Sequence, residues 1–264
     1  MIGADVVESN CFFTRAWEFW ALRSRAGLTA RLPGLRVAWM NVTWPICNLT
    51  FLAEPVEADL DSRVRAALEY AREHDRGWLL MACRDFLPNG SGPSPDDVFA
   101  RHGLELAVPF TGMAADRLLP PRRPLPELEF RPMNDAETRR AYCEINAEAY
   151  GDPLDLVIEA LGVEAFWGEG TFGFVGYAEG EPVTAANTIL MDDTLYMSLV
   201  ATRPEHQKKG YAEAVMRHSL ARARDTTGLE RTVLHATPAG LPLYLEMGYR
   251  PVTEFLGYAA GGGH

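Results

Sequence analysis

The sequence predicts an α/β (α+β) protein built on a mixed sheet, with a smaller N-terminal domain ahead of a larger C-terminal one. Three observations lead there. Strand-like and helix-like stretches alternate along the 264 residues, as expected for helices packed on a sheet. A proline-rich break, Arg117 to Glu127 (RLLPPRRPLPE), divides the chain. Its prolines lack amide donors and fix φ, so neither a helix nor a central strand runs through it. The order of elements closing the first part also closes the second. These features place the domains at 1–118 and 128–264, joined by a stiff, extended linker at 119–127.

The first part opens with an aromatic-rich helix over 8–26, carrying Phe12, Phe13, Trp17, Phe19 and Trp20. Strands are expected at 36–41 and 46–53, and a helix at 60–74. A strand at 78–83, a helix at 95–101 and a strand at 104–110 follow. Four tryptophans, Trp17, Trp20, Trp39 and Trp44, read first as core and second as a pocket lining.

The second part begins with a strand at 128–132. Asn134 is the expected cap of a helix reaching Tyr150, with Glu137 as capping-box partner and Gly151 as the stop. A second helix follows Pro153 to about Trp167. Strands at 171–178 and 182–191 flank a Glu179-Gly180 turn. Asp192-Asp193 turns the chain into a strand at 194–202. A helix at 210–224, a strand at 231–236, a short helix at 241–247 and a strand at 249–258 complete the order. The β-α-β-α-β tail matches that of the first part. A local echo supports a repeat: Phe99 and Tyr244 each stand four residues before a helix-ending glycine, Gly103 or Gly248.

Composition narrows the function. The net charge is −11 and the pI about 5.1, the wrong balance for neutralising nucleic-acid phosphates. No apolar run is long enough to span a bilayer, and no basic amphipathic helix suggests a membrane surface. The first ten residues show no basic region followed by an apolar one, so a cytoplasmic location is expected. Acidity weakly favours a cationic substrate such as an amine. Cys11, Cys47, Cys83 and Cys143 are widely spaced and read as reduced thiols, with no metal site expected.

One segment carries chemistry: Val200-Ala-Thr-Arg-Pro-Glu-His-Gln207-Lys-Lys-Gly210-Tyr-Ala212. It passes from a strand, through a loop broken by Pro204, into a helix. A helix start presents free amides and the positive end of the macrodipole, which favour an anion. Gly210 permits close backbone approach, and Ala212 leaves the first turn uncluttered. Lys208 and Lys209, the only lysines in the chain, stand beside it. A pyrophosphate-bearing cofactor fits such a place. A plain capped loop with two solvated lysines is the other reading of the same residues.

The spacing Gln207-x-x-Gly210-x-Ala212, within β-α-α-β-β-β-α-β-α-β, resembles the GNAT superfamily of acyl-CoA-dependent N-acyltransferases. Tyr244 and the following Gly248-Tyr249 resemble that family's Y-x-x-x-G-F/Y ending. The resemblance covers 128–258 in full and the first part in outline, as in a tandem form with a degenerate N-terminal half. It implies that the backbone of Val200, Ala201 and Thr202 binds the pantetheine arm of acetyl-CoA or another acyl-CoA. It implies that the amides of Gln207, Lys208, Lys209, Gly210, Tyr211 and Ala212 hold the pyrophosphate. The Thr202 amide would polarise the thioester carbonyl, and Tyr244 would protonate the leaving thiolate. Tyr244 is otherwise a core aromatic.

The sequence also departs from the family. Thr237 stands where many members carry a cofactor-contacting asparagine. Tyr196 and Thr232 occupy the strand positions where a carboxylate base is usual. The base is therefore open: a water chain, Glu144, Glu148 or Asp192, or none. His235 reads as a buried histidine before a base, and His206 as a loop residue near phosphate. In the first part, Ala53 to Asp59 (AEPVEAD) holds three carboxylates where a cofactor loop would stand, so that half is expected to have lost the cofactor.

The expected activity is transfer of an acetyl or short acyl group to a small-molecule or peptide amine in a ternary complex. No GxSxG motif, and no cysteine with a motif-level base partner, suggests an acyl-enzyme. A non-catalytic acyl-CoA-binding sensor or interaction module is the alternative. Thioester hydrolysis or acyl decarboxylation on the same fold is a third reading.

Overall fold

A computed structural model describes residues 2–57, 59–89 and 93–261. In chain order the elements are α1 (Ala4–Arg23), β1 (Leu28–Leu32), β2 (Leu35–Trp39), β3 (Asn48–Leu52), α2 (Leu60–Arg72), β4 (Leu79–Cys83), α3 (Pro95–Arg101) and β5 (Leu104–Ala115). There follow β6 (Glu129–Pro132), α4 (Ala136–Tyr150), α5 (Leu154–Leu161), β7 (Thr171–Ala178), β8 (Glu181–Met191) and β9 (Thr194–Thr202). The chain closes with α6 (Tyr211–Thr227), β10 (Thr232–Ala236), α7 (Leu241–Met247) and β11 (Arg250–Ala260). The shared tail is present twice, as β3-α2-β4-α3-β5 and β9-α6-β10-α7-β11.

Two compact units form, and they are not consecutive in sequence. The first takes in the chain to Met113, then His235–Ala239 and the stretch from Pro251 onward. The second is Ala114–Leu234 with Gly240–Arg250, so the proline-rich segment packs within it.

In the first unit the strand order is β1-β2-β3-β4-β11-β5. β3 and β4 pair in parallel, and β11 joins β4 antiparallel. β3 and β4 are buried along their whole length, as parallel strands covered on both faces should be. The two-residue period divides their side chains. Leu49 and Phe51 pack with Phe13 of α1, while Leu52 packs with Val64 of α2 and Phe99 of α3. Trp20 and Trp39 are fully buried, which makes them core. His235 stacks on Phe13 (centroids 3.8 Å apart) and its Nε2 lies 3.1 Å from Ser9 Oγ. Burial pushes its pKa down to about 3, against a smaller upward pull from Ser9. It is a neutral packed imidazole.

Three local readings change. The cap of α4 is Asp135, which accepts from the Thr138 amide at 2.8 Å in a reciprocal capping box, so Asn134 and Glu137 do not serve. α5 stops at Leu161, with Gly162 as its C-cap in a place where a Cβ would stand 2.7 Å from the Ile158 carbonyl oxygen. β1 was not foreseen, as its Leu-Thr-Ala-Arg-Leu run is a half-exposed edge. Its pairing with β2 supplies the order.

The second unit has the order β10-β9-β8-β7-β6. β6 to β9 are antiparallel neighbours, and β10 is parallel to β9. α6 packs on β7, β8 and β9, and α4 packs on β8, β9 and α5. Tyr142, Ile145, Val183, Ile189, Val215 and Met247 are among its buried side chains.

All four cysteines are free, Cys11 exposed and the others buried. Burial pushes the Cys143 thiol up to about 12. An aromatic disulfide reagent should therefore modify one thiol, Cys11, in the native protein and all four after unfolding. Rapid native modification of a second thiol would contradict this packing. Among the described residues, no helix is long and apolar enough to cross a membrane, and no His/Cys/Asp/Glu group could hold a metal.

Candidate active site

The site is built on β9. Its parallel pairing with β10 covers only Leu195↔Thr232 and Tyr196↔Val233, although β9 continues to Thr202. Its register with β8 slips between Ala185 and Asn187, where Ser198 to Ala201 face one residue fewer. Leu199 sits at this bulge with φ +52°. A bulge re-aims the backbone beyond it. Two hydroxyls from α4 fix the result: Tyr142 donates to the Leu199 carbonyl at 3.0 Å, and Tyr150 to the Val200 carbonyl at 2.9 Å.

Past the bulge the strand alternates. The Arg203 amide donates to Val183 of β8, and the Ala201 carbonyl accepts from Thr184 Oγ1 at 2.9 Å. Ala201 is thus turned toward β8. By the antiparallel pattern, Val200 and Thr202 turn their backbone groups away from β8. The Thr202 carbonyl takes a weak donation from Gln207 Nε2 (3.4 Å).

The loop after β9 is pinned by Arg203, which reaches the Pro182 carbonyl at 2.7 Å and pairs with Glu148 and Glu144. A single 3-10 turn, Pro204–His206, follows. The Gln207 amide donates to Pro204. Lys208 and Gly210 adopt positive φ, +62° and +85°. Gly210 caps α6 with no side-chain hydrogen bond, and the amides of Gly210, Tyr211 and Ala212 meet no acceptor among the described residues. Lys208 and Lys209 are exposed. His206 Nδ1 is buried without a partner at the foot of the loop. Open amides, a glycine in the left-handed region and two lysines suit a pyrophosphate.

The corresponding stretch of the first unit is closed. Arg63 donates to the carbonyls of Glu54 and Pro55, and the Val56 amide donates to Phe86. Ala58 lies outside the described residues.

Tyr244 is buried on α7 against Tyr249 (centroids 6.0 Å apart). Burial raises its pKa well above the usual phenol value, with smaller contributions from Tyr150 and Tyr249. Its hydroxyl has no hydrogen-bond partner among the described residues. Gly240 makes room for it: a Cβ there would stand 2.8 Å from the ring. Tyr150 is the common neighbour, bonded to β9 and close enough to influence Tyr244. Thr237 groups with the first unit.

The base candidates fare unevenly. Glu144 pairs with Arg140 and Arg203, and Glu148 with Arg203. Asp192 lies at the far end of β9 from Thr202. Tyr196 is buried, and Thr232 Oγ1 bonds Tyr249 Oη at 3.1 Å. Tyr142, Tyr150, Arg203 and Gly240 were missed from sequence. The only signal for the tyrosines was their eight-residue spacing on one helix.

The family model for acetyltransferase (GNAT) matches residues 136–249. Among curated proteins no sequence matches the chain. Among solved structures, a GCN5-related N-acetyltransferase from Kribbella flavida is similar at 19% identity and TM-score 0.71, covering 100% of this chain and 98% of that one. A GCN5-related N-acetyltransferase from Sphaerobacter thermophilus aligns at 16% identity and TM-score 0.58, over 86% of this chain and 76% of its own. A tandem GNAT protein from the clavulanic acid biosynthesis pathway aligns at 14% and 0.54, over 93% and 87%. At these identities the structures establish the fold, and they do so across both halves. The motif loop, the bulged strand and the match to the acetyltransferase (GNAT) family model thus fall on one stretch of chain, residues 136–249.

Proposed function

We propose that the protein transfers an acetyl or short acyl group from acyl-CoA to an amine, by direct attack in a ternary complex. One observation carries this reading. The same segment that ends β9 with backbone groups turned from β8 opens α6 with unpartnered amides beside Lys208 and Lys209. One end suits an extended pantetheine arm and the other a pyrophosphate.

In this reading Val200 and Thr202 bind the arm, and the Thr202 amide donates to the thioester oxygen as negative charge develops there. The amine nitrogen forms a bond to the thioester carbon, the carbon–sulfur bond breaks, and Tyr244 gives its phenolic proton to the departing thiolate. The amine's proton leaves to water, and the Tyr244 phenolate takes one back from water. The raised pKa of Tyr244 keeps the phenol protonated and able to donate. The acceptor is a small-molecule or peptide amine. We place the protein in the cytoplasm, with neither nucleic acid nor membrane as partner, and keep 1–118 as a degenerate half ahead of the 119–127 linker and the 128–264 acyltransferase domain.

The ion-paired state of Glu144 and Glu148 favours a second reading, an acyl-CoA-binding module without turnover. Calorimetric titration with acetyl-CoA, using NADH and ATP as controls, tests the first step. Micromolar binding of acetyl-CoA alone supports both readings, and its absence overturns both. Thiol release with a panel of amines then separates transfer from mere binding.

A further inference from the structure

We propose that the proline-rich segment is the outer wall of the nucleotide end of the acyl-CoA groove, and that Arg122 and Arg123 recognise the ribose 3′-phosphate of coenzyme A. This rests on the reading of the α6 start as the pyrophosphate site.

The segment is docked at both ends. Upstream, the Leu119 amide donates to the Met247 carbonyl at 2.9 Å, and Arg217 Nη2 of α6 donates to the Leu119 carbonyl at 2.8 Å. The Leu119 side chain fills the space a Cβ at Gly248 would need. Downstream, the Pro126 ring lies against Gly210, where a Cβ would stand 3.3 Å from Pro126 Cδ. The strap therefore runs from the end of α7 to the cap of α6. The cap is where the unpartnered amides begin.

Between these anchors stand Arg122 and Arg123, both exposed. Arg122 approaches Glu246 only to 3.9 Å, too long for a hydrogen bond. Arg123 makes no hydrogen bond or ion pair with any described residue. Glu127 follows Pro126 and is also exposed, and Glu205 lies 3.8 Å from His206. Glu213, in the first turn of α6, is paired with Arg217, so Arg122, Arg123, Lys208 and Lys209 face only Glu127, Glu205 and Glu246 as nearby carboxylates without an arginine partner within hydrogen-bond distance, in a chain of net charge −11.

Reach agrees. Arg123 is three residues from Pro126, about 10 Å of extended chain. Coenzyme A carries its 3′-phosphate on the nucleoside attached to the pyrophosphate, so a pyrophosphate at Gly210 sets that phosphate one nucleoside away. Guanidinium forks suit phosphate oxygens better than ammonium groups do. Flanking prolines hold the arginine backbone ordered before binding, which lowers the entropic cost of the contact.

The test is calorimetric affinity for acetyl-CoA and for 3′-dephospho-acetyl-CoA, in the native chain and in the Arg122→Ala/Arg123→Ala double variant. The native chain should prefer acetyl-CoA by about tenfold, from charge-assisted hydrogen bonds to one phosphate. The double variant should lose that preference while binding the dephospho form as the native chain does. Equal native affinities, a variant that weakens both ligands alike, or a variant that binds acetyl-CoA more tightly overturns the inference; the last would make the strap a competitor. If the native chain binds neither ligand, the pyrophosphate reading itself fails and this inference goes with it.

Discussion

Gly210→Asp is expected to weaken acetyl-CoA binding by about a hundredfold or more, while the protein still folds. Three effects combine. Gly210 has φ +85°, a conformation that costs an L-residue about 1–2 kcal/mol. A Cβ there would also press on the Pro126 ring at 3.3 Å. These two effects are shared by Gly210→Ala, which should lower Tm by a few degrees and weaken binding only severalfold. The aspartate adds a negative charge beside the Tyr211 and Ala212 amides, where the cofactor's own charge is to sit. At that range repulsion reaches a few kcal/mol in a partly screened site. The difference between the two variants therefore isolates charge from strain. Calorimetry of both, with circular dichroism to confirm the fold, measures it. An aspartate variant that binds as well as the alanine variant would place the pyrophosphate elsewhere.

The sequence and the structure agree best where local rules suffice. Glu179-Gly180 turns with φ +53° and +87°, and Gly151, Gly228 and Gly248 end helices in the left-handed region. The turn at Glu179-Gly180 and the stops at Gly151 and Gly248 are those the sequence predicts. α6 runs past Arg224 to Thr227 because the stop is Gly228. The cap of α4 slipped by one residue because Asp135 and Thr138 satisfy each other's backbone groups, a choice that composition at 134–138 leaves open.

Long-range pairing was not legible. Nothing in the alternation of 250–260 says that β11 lies beside β4. Nor does the proline run 117–127 say that it docks on α6 and α7; prolines forbid a helix but do not choose a resting place. The motif loop was legible because its properties are local: glycine, a helix start and lysines. The tyrosines that fix the carbonyls of Leu199 and Val200 come from a helix some fifty residues earlier. Only the fold brings them to the strand.

The same separation bears on Tyr244, whose motif was legible and whose surroundings were not. Tyr244→Phe is expected to lower kcat by about a hundredfold or more, the usual range for a lost general acid. The dissociation constant for acetyl-CoA should stay within about twofold, because the proton moves only in the transition state. Stability should hardly change. The Tyr244 hydroxyl has no partner among the described residues, so its removal orphans nothing and should shift stability by less than about 0.5 kcal/mol. A purely structural tyrosine in a satisfied network would behave oppositely, losing stability and keeping kcat. The pH profile adds a further constraint. Burial raises the Tyr244 pKa above the ordinary phenol value, so the acid form persists up to that higher value and is lost only above it. Between pH 7 and 10 the native kcat should show no alkaline decline from this group. An unchanged kcat in the phenylalanine variant would remove Tyr244 from the chemistry. Bound acetyl-CoA would then be left without a protein acid for the leaving thiolate, which is the behaviour of a binding module.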